Sequence, residues 1–509
     1  MKTILIMLLL LISFSTFSQM GQLVFKIEDK NQVPEVTKEL KSNNLRLKSG
    51  NTRLTNTFDK YNLTEFRQLY PSSKRPELLK YYILETEGYQ ELLKELKEKH
   101  SDKFSHASEY QEPRSLYVPN DYGFCTFSGC DGIRNVGLSY LELINAPGAW
   151  EITKGDPNVI IGIIDNHVLI SHEDLEGKIV KVYDKNIRSS YTNCPDHGTM
   201  VAGIIASNTN NNKGISSVGF NCRMAKTSAN KNDLILMAQE GIRVINISQD
   251  WGPGNEADSI LIQELTEDYK VTVVAAAGNT NSTDYVYPAS YDNVISVTSV
   301  GHEFDKGTTY NDRQFNWKDC HKKYLNIAGN ESCIHTHNDK VDICAPGYTI
   351  LTTCHPATYV NGLKEPTGQL YSIENGTSFA APLVTGVCAL MYSVNPGLTP
   401  REVKSIIQRT AADIYSIPEN AEYLGLLGAG RIDAYKAVKE AGTTYLRGGQ
   451  NSKTISAGFG FNLNDVTINA RANVTLKARK LVEIIGTFEV PLGSTFEIMI
   501  DPSAVSIER

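Results

Sequence analysis

Runs such as VIIGIID (159–165) and VTVVAAAGN (271–279) are apolar at nearly every position and stop on aspartate or a glycine-asparagine pair. A strand that is apolar on both faces has to be covered on both faces, which favours a parallel sheet sandwiched by helices. The segment TSFAAPLVTGVCALMYSV (377–394) reads as one such covering helix. From about residue 115 to 442 this alternation predicts an α/β domain with a largely parallel sheet. Ligands of such sheets bind beyond the carboxyl ends of the strands, where Asp165 and Asn279 fall.

The flanks follow other rules. Residues 19–114 form a polar segment in which Tyr89, Leu92, Leu93 and Leu96 recur at helical spacing and LLKYYILETEG is strand-like, so a small α+β unit is expected. HASEYQEPRS (106–115) is a polar joint between it and the larger domain. In residues 443–509 the pattern becomes strict alternation: Ile468, Ala470, Ala472, Val474, Leu476 and Ala478 are interleaved with Thr467, Asn469, Arg471, Asn473, Thr475 and Lys477. Phe488, Val490, Leu492, Phe496, Ile498 and Ile500 continue it, which predicts a small all-β module.

The first 18 residues pair Lys2 with an apolar run from Ile4 to Ile12 and small residues at Thr16 and Ser18. That is the layout of an export signal, too short for a membrane span, and no later segment supplies one. The mature chain is therefore expected outside the cytoplasm, secreted or associated with a cell surface. Its formal charge of -7 over 509 residues leaves no basic footprint for nucleic acid. Nine cysteines leave at least one thiol over in a monomer, and Cys388, set among Val387, Ala389 and Leu390, reads as a buried one. Cys125 with Cys130, Cys320 with Cys333, and Cys344 with Cys354 are near neighbours in sequence, but spacing fixes no connectivity.

Four residues carry candidate chemistry, each with a plainer alternative. Ser378, at the start of the long helix, is either an N-cap or a nucleophile lying where unpaired amides would hold an oxyanion. His197 in CPDHGTMVAGIIAS opens a second apolar helix, as a polar start residue or as the base that takes the serine proton. Asp165 is a turn former or the carboxylate that fixes the imidazole tautomer. Asn279 is part of a Gly-Asn turn or an oxyanion donor. Together they suggest acyl transfer in the chain order Asp, His, Ser, and the serine is not in a G-x-S-x-G elbow. His335-Thr336-His337 beside Cys333 lacks a fourth metal ligand, so no metal site is assigned.

DHGTMVAG, AAAGN, VYPASYDNVISVTSV, VDICAPG, NGTSFAAPLVTG and GAGRIDAYKAV occur in that order over about 300 residues, and the chain resembles the subtilisin-like serine proteases. The resemblance implies a doubly wound, mainly parallel sheet over 115–442. It also implies Ser378 as nucleophile, His197 as general base and acid, Asp165 as orienting carboxylate, and Asn279 with the Ser378 amide as oxyanion donors. It gives Ser248, Gly252, Ala276 and Gly278 as substrate-binding residues and polypeptides as substrates. It makes 19–114 a propeptide that inhibits until cut. No cofactor is required for these steps, and structural calcium is common in the family.

Two stretches depart from the family pattern. Asp165-Asn166-His167 stands where Asp-Thr-Gly is usual, which motivates the alternative of an impaired protease fold serving as a surface-binding or adhesion module. NISQDWGP (246–253), followed by Glu256 and Asp258, is either an acidic pocket selecting Arg or Lys or a loop with solvated carboxylates, and broad cleavage is the expectation.

Overall fold

The computed structural model describes residues 20–38, 45–68, 75–101, 103–110, 118–122, 139–183, 197–228, 230–304, 315–320, 335–348, 350–360, 363–366 and 369–506. The export segment, Cys125, Cys130 and Cys333 lie outside them. The chain divides into two units, Met1–Ser115 and Leu116–Arg509.

In the first unit, β1 (Met20–Lys26), β2 (Glu35–Lys38), β3 (Leu45–Lys48), β4 (Leu63–Gln68), β5 (Tyr81–Glu87) and β6 (Ser105–Tyr110) make an antiparallel sheet ordered β2-β3-β4-β5-β1-β6. Helices α1 (Thr52–Phe58) and α2 (Tyr89–Lys99) complete it, with Asn51 capping α1 through the Arg53 and Leu54 amides. Leu92 and Leu96, four residues apart on α2, are fully buried beside Leu23, Phe25 and Phe104.

The second unit opens with α3 (Ser139–Leu143) and α4 (Ala146–Trp150). Its sheet is built from β7 (Ile160–Ile164), β8 (Ile179–Val182), β9 (Arg223–Thr227), β10 (Val244–Ile247), β11 (Thr272–Ala276), β12 (Val294–Phe304), β13 (Phe315–Cys320) and β14 (Ile343–Pro346). The order is β13-β12-β11-β10-β7-β9-β8, with β14 also on β12, and every pairing but β12 with β13 is parallel. Helices α5 (His197–Ala206), α6 (Asn232–Gln239) and α7 (Glu256–Gln263) fall between strands. Two hairpins follow, β15 (Ile350–Thr353) with β18 (Tyr371–Glu374) and β16 (Ala357–Val360) with β17 (Leu363–Pro366). Then come α8 (Thr377–Val394), α9 (Pro400–Arg409) and α10 (Ala434–Gly442).

The double cover can be followed residue by residue. Ile161 and Ile163 of β7 and Val274 and Ala276 of β11 belong to one core cluster, with α5 and α8. Ile164 of β7, Ile245 and Ile247 of β10, and Val273 and Ala275 of β11 belong to a second, with Leu234 and Met237 of α6. Adjacent strand residues thus go to opposite faces and both faces are dry, as the unbroken apolar runs require. Each fully buried Ile or Val contributes about 1.5–3 kcal/mol. Helix α8 is long and apolar enough to span a membrane but is 94% buried as a core helix.

The alternating C-terminal segment forms β19 (Thr443–Gln450), β20 (Lys453–Ala457), β21 (Gly460–Ile468), β22 (Asn473–Ala478), β23 (Leu481–Glu489) and β24 (Thr495–Ile500). These are parallel in two three-stranded sheets, β19-β21-β23 and β20-β22-β24, so the chain winds as three stacked coils. Leu463, Val466, Val474 and Leu476 line the interior. Arg479 anchors the stack to the α/β core by donating to the Ile152 carbonyl at 3.0 Å.

Among the cysteines, Cys388 is a fully buried thiol whose pKa burial pushes up, and Cys222 is likewise a buried thiol, pushed up to about 11. Cys344 donates to the Leu427 carbonyl and Cys354 to that of Gln369, so this pair is not bridged.

Candidate active site

Asp165 follows the last residue of β7 and is 0% exposed. A carboxylate so placed has to be paired, and it is. His197 Nδ1 lies 2.9 Å from Oδ1 and 3.0 Å from Oδ2, and the Asn166 amide donates to Oδ1 at 2.7 Å. His197 is the first residue of α5, its side chain 18% exposed. Burial works against its imidazolium, but the charge of Asp165, the bond to it and the charge of Glu374 outweigh that, and the His197 pKa is raised.

The unusual Asn166-His167 pair is accommodated here. Neither residue has a positive φ, so the backbone does not call for glycine. The tight contact falls at Gly198, next to His197 in α5, where a Cβ would meet the carbonyl oxygens of Asn166 and His167 at 2.7 and 2.8 Å.

Every residue of α8 is buried except Ser378. Its position is held by a polar chain through the core. Thr385 Oγ1 lies 2.9 Å from Asn246 Oδ1, Asn246 Nδ2 donates to Ser248 Oγ at 2.9 Å, and Ser248 Oγ donates to the Ser378 carbonyl at 3.0 Å. That carbonyl would ordinarily accept from the amide four residues on, but residue 382 is proline and has none. Ser248 supplies the missing donor.

The Ser378 hydroxyl donates to the Ser248 carbonyl at 3.3 Å, long for an O–H···O bond, and among the described residues no hydrogen bond joins it to His197. The imidazole is close by, its ring 5.5 Å from that of Phe379, the next residue. Without a substrate, nucleophile–base bonds are commonly loose and tighten when one binds.

Asn279 Oδ1 accepts from the Thr377 amide at 2.9 Å and the Thr377 hydroxyl at 3.0 Å. This turns its Nδ2, which makes no bond among the described residues, outward as an available donor. Gly278 has φ +110° and donates to Thr377 Oγ1 at 3.1 Å; a side chain there would strike Val286 and Thr336. Ala276 is packed in the core, and Gly252 is exposed with its amide on Asp250. Of the eight residues singled out from the sequence, hydrogen bonds pair Asp165 with His197 and Ser378 with Ser248, and tie Gly278 and Asn279 to Thr377, next to Ser378. They do not reach Ala276 or Gly252.

Asn246, Thr377, Thr385 and Glu374 went unnoticed in the sequence. The signal for Asn246 was a polar residue within the four-residue strand Val244–Ile247. Asp258, considered for an acidic pocket, instead binds Lys231 Nζ at 2.7 Å and helps cap α7 through Asn255. His335 stacks on Tyr348 and His337 meets Tyr423 edge-on, so the two imidazoles serve separate aromatic contacts.

The profile of the subtilase family matches residues 156–459, more than half of the chain. The chain belongs to the subtilase family. It is a serine-type endopeptidase of the peptidase S8 class. It is 30% identical over 350 residues to the thermophilic serine proteinase of Bacillus sp. (strain AK1), covering 65% of this chain and 72% of that protein. It is 31% identical over 336 residues to thermitase of Thermoactinomyces vulgaris, covering 64% and 100%. A solved structure of a protease from Pseudoalteromonas arctica aligns at TM-score 0.46 and 22% identity, over 64% of this chain and all of that one.

Proposed function

We propose that this subtilase is a secreted endopeptidase that works through an acyl-enzyme on Asp165, His197 and Ser378. The observation that carries the reading is the buried Asp165 carboxylate with both oxygens within 3.0 Å of His197 Nδ1. That contact fixes the tautomer with a proton on Nδ1 and leaves Nε2 as the base. His197 Nε2 takes the Ser378 proton as Oγ bonds to the peptide carbonyl carbon. The carbonyl oxygen gathers the negative charge, held by Asn279 Nδ2 and the Ser378 amide. The C–N bond then breaks, His197 returns its proton to the leaving amine, and water repeats the sequence to release the acid.

A fluorophosphonate probe tests this directly: it labels the processed wild type and not Ser378→Ala. A folded, processed wild type that stays unlabelled removes the proposal. The impaired-fold alternative was motivated by the Asn166-His167 departure, where neither residue has a positive φ.

Around this centre, residues 1–18 act as the export signal, in line with relatives named as extracellular proteases. Residues 19–114 act as propeptide and inhibitor, and 443–509 as an appended module. Substrates are polypeptides cleaved broadly; of the acids considered for a basic-selective pocket, Asp258 is paired with Lys231.

Two relatives are named as calcium-dependent proteases. No group of three or more His, Cys, Asp or Glu among the described residues is arranged for a metal. The buried carboxylates of Asp121 and Asp174 do not present a vacant oxygen cage, because their oxygens already accept from the Asn210, Asn211, Ser216 and Ile215 donors, and no calcium is placed there.

A further inference from the structure

The C-terminal stack ends abruptly. Its second coil is sealed: Leu463, Val466, Val474, Leu476 and Ala478 are each at most 1% exposed. Their register partners in the third coil are Ile484, Phe488, Phe496, Ile498 and Ile500, equally apolar. Yet Ile484 is 47%, Ile498 44% and Ile500 58% exposed, because nothing described lies over them. Among the described residues both β23 and β24 have a neighbour on one side only, leaving two open strand edges at the same end. After Ile500 the chain turns away. Asp501 donates its amide to Ala478 and Ser506 donates to the Val394 carbonyl at the end of α8, so the following segment packs back toward the core.

We infer that this third coil is a docking face for a partner protein that adds strands to both edges, apolar toward the stack axis and rich in lysine or arginine outward. Interior-type side chains at an end coil behave as an uncapped repeat, and stacked coils are stabilised by the next one. Strand addition satisfies the open backbone groups, while the side-chain rows select the partner. The outward row of the coil is acidic: Glu483, Glu489 and Glu497, with no Lys or Arg between 481 and 500. A second copy stacking on this face would set those acids against their own mates, the arrangement by which edges discourage self-pairing. A basic row meets them instead.

Two labelled peptides test this by fluorescence anisotropy against the full chain carrying Ser378→Ala, so that neither peptide is cleaved. One alternates valine with lysine, and its twin alternates valine with glutamate. The lysine peptide is expected to bind at least about tenfold more tightly than the twin, with affinity falling as salt shortens the Debye length from about 30 Å to about 8 Å. The triple variant Glu483→Lys, Glu489→Lys, Glu497→Lys is expected to invert the preference, and Ile498→Asp to weaken both peptides. Reversing Glu98 and Glu256, exposed elsewhere, should leave it unchanged. Indifference to the triple variant, or equal binding of the two peptides, overturns the inference. So does a wild-type dimer in sedimentation that Ile498→Asp dissolves. None of these readouts depends on peptidase activity.

Discussion

The central sheet is mainly parallel and the C-terminal stack wholly so, but they end in opposite ways. Strands β7, β10 and β11 are buried on both faces, and just past their carboxyl ends stand Asp165, Ser248 and Asn279. The stack is dry on its inner face alone, and its last coil presents Ile484, Ile498 and Ile500 to solvent. The difference shows where polar chemistry can be held. A buried carboxylate survives only where packed elements deliver partners to it at fixed distances, as β7 and α5 do for Asp165 and His197. A coil supported on one side offers recognition rather than catalysis.

The largest effects should come from the residues gathered beyond the strand tips, with little change in stability for Ser378→Ala. Ser378→Ala is expected to lower kcat by up to about 10⁶, and Asp165→Asn by about 10⁴ through loss of the correct tautomer. Asn279→Ala should cost about 10²–10³, the loss found for one oxyanion donor in a related enzyme. Steady-state assays on a chromogenic peptide give the rates, and thermal melts give Tm. A drop in Tm for Ser378→Ala would break the contrast, since its hydroxyl makes one long bond. An unchanged kcat in Asn279→Ala would reduce that residue to a turn former.

A smaller effect sharpens the contrast within the stack. Leu476 and Ile498 face each other in register, one 0% and the other 44% exposed. Leu476→Ala is expected to cost about 2–5 kcal/mol, and Ile498→Ala below about 1 kcal/mol, both leaving kcat unaltered. Denaturant titration of the full chain measures this. Equal costs would mean that the end coil is already covered in solution.

How much of this was written in the sequence follows the same divide. The two-sided cover of the central sheet was legible because VIIGIID and VTVVAAAGN leave no polar face. The alternation of 467–478 gave strands with one wet face, but not their parallel winding. Pairing there joins residues about 22 apart, as Thr467 with Glu489, and the facing rows match in polarity rather than identity, so no repeat stands out. At the site, Asp165, His197, Ser378 and Asn279 could be picked by residue type and placement. The support behind them could not: Asn246 and Thr385 lie 139 residues apart and join Ser248, expected only as a substrate-binding residue, into one chain once β10 is laid against α8. Pro382, inside the run read as one helix, frees the Ser378 carbonyl for Ser248.

The finest effect concerns acidity. To act as the proposed general base His197 has to be neutral, so activity is expected to fall as pH drops through its pKa, which lies above the ordinary value of about 6.5. Glu374, at the end of β18 and four residues before Ser378, is one cause of that rise, after Asp165. Burial raises the pKa of Glu374 itself, yet once ionised it favours the imidazolium. Glu374→Gln should therefore move the acid limb of kcat/KM downward while the triad stays whole. The stability linkage has the opposite sense to activity. A raised His197 pKa contributes stability that is complete below the unfolded value and is lost as pH rises through the folded one. The wild type thus gains rate over the window in which it gives up this increment, and Glu374→Gln should shift both changes to lower pH together. A limb that stays in place in Glu374→Gln, or moves upward, would show that the carboxylate does not act on the imidazole.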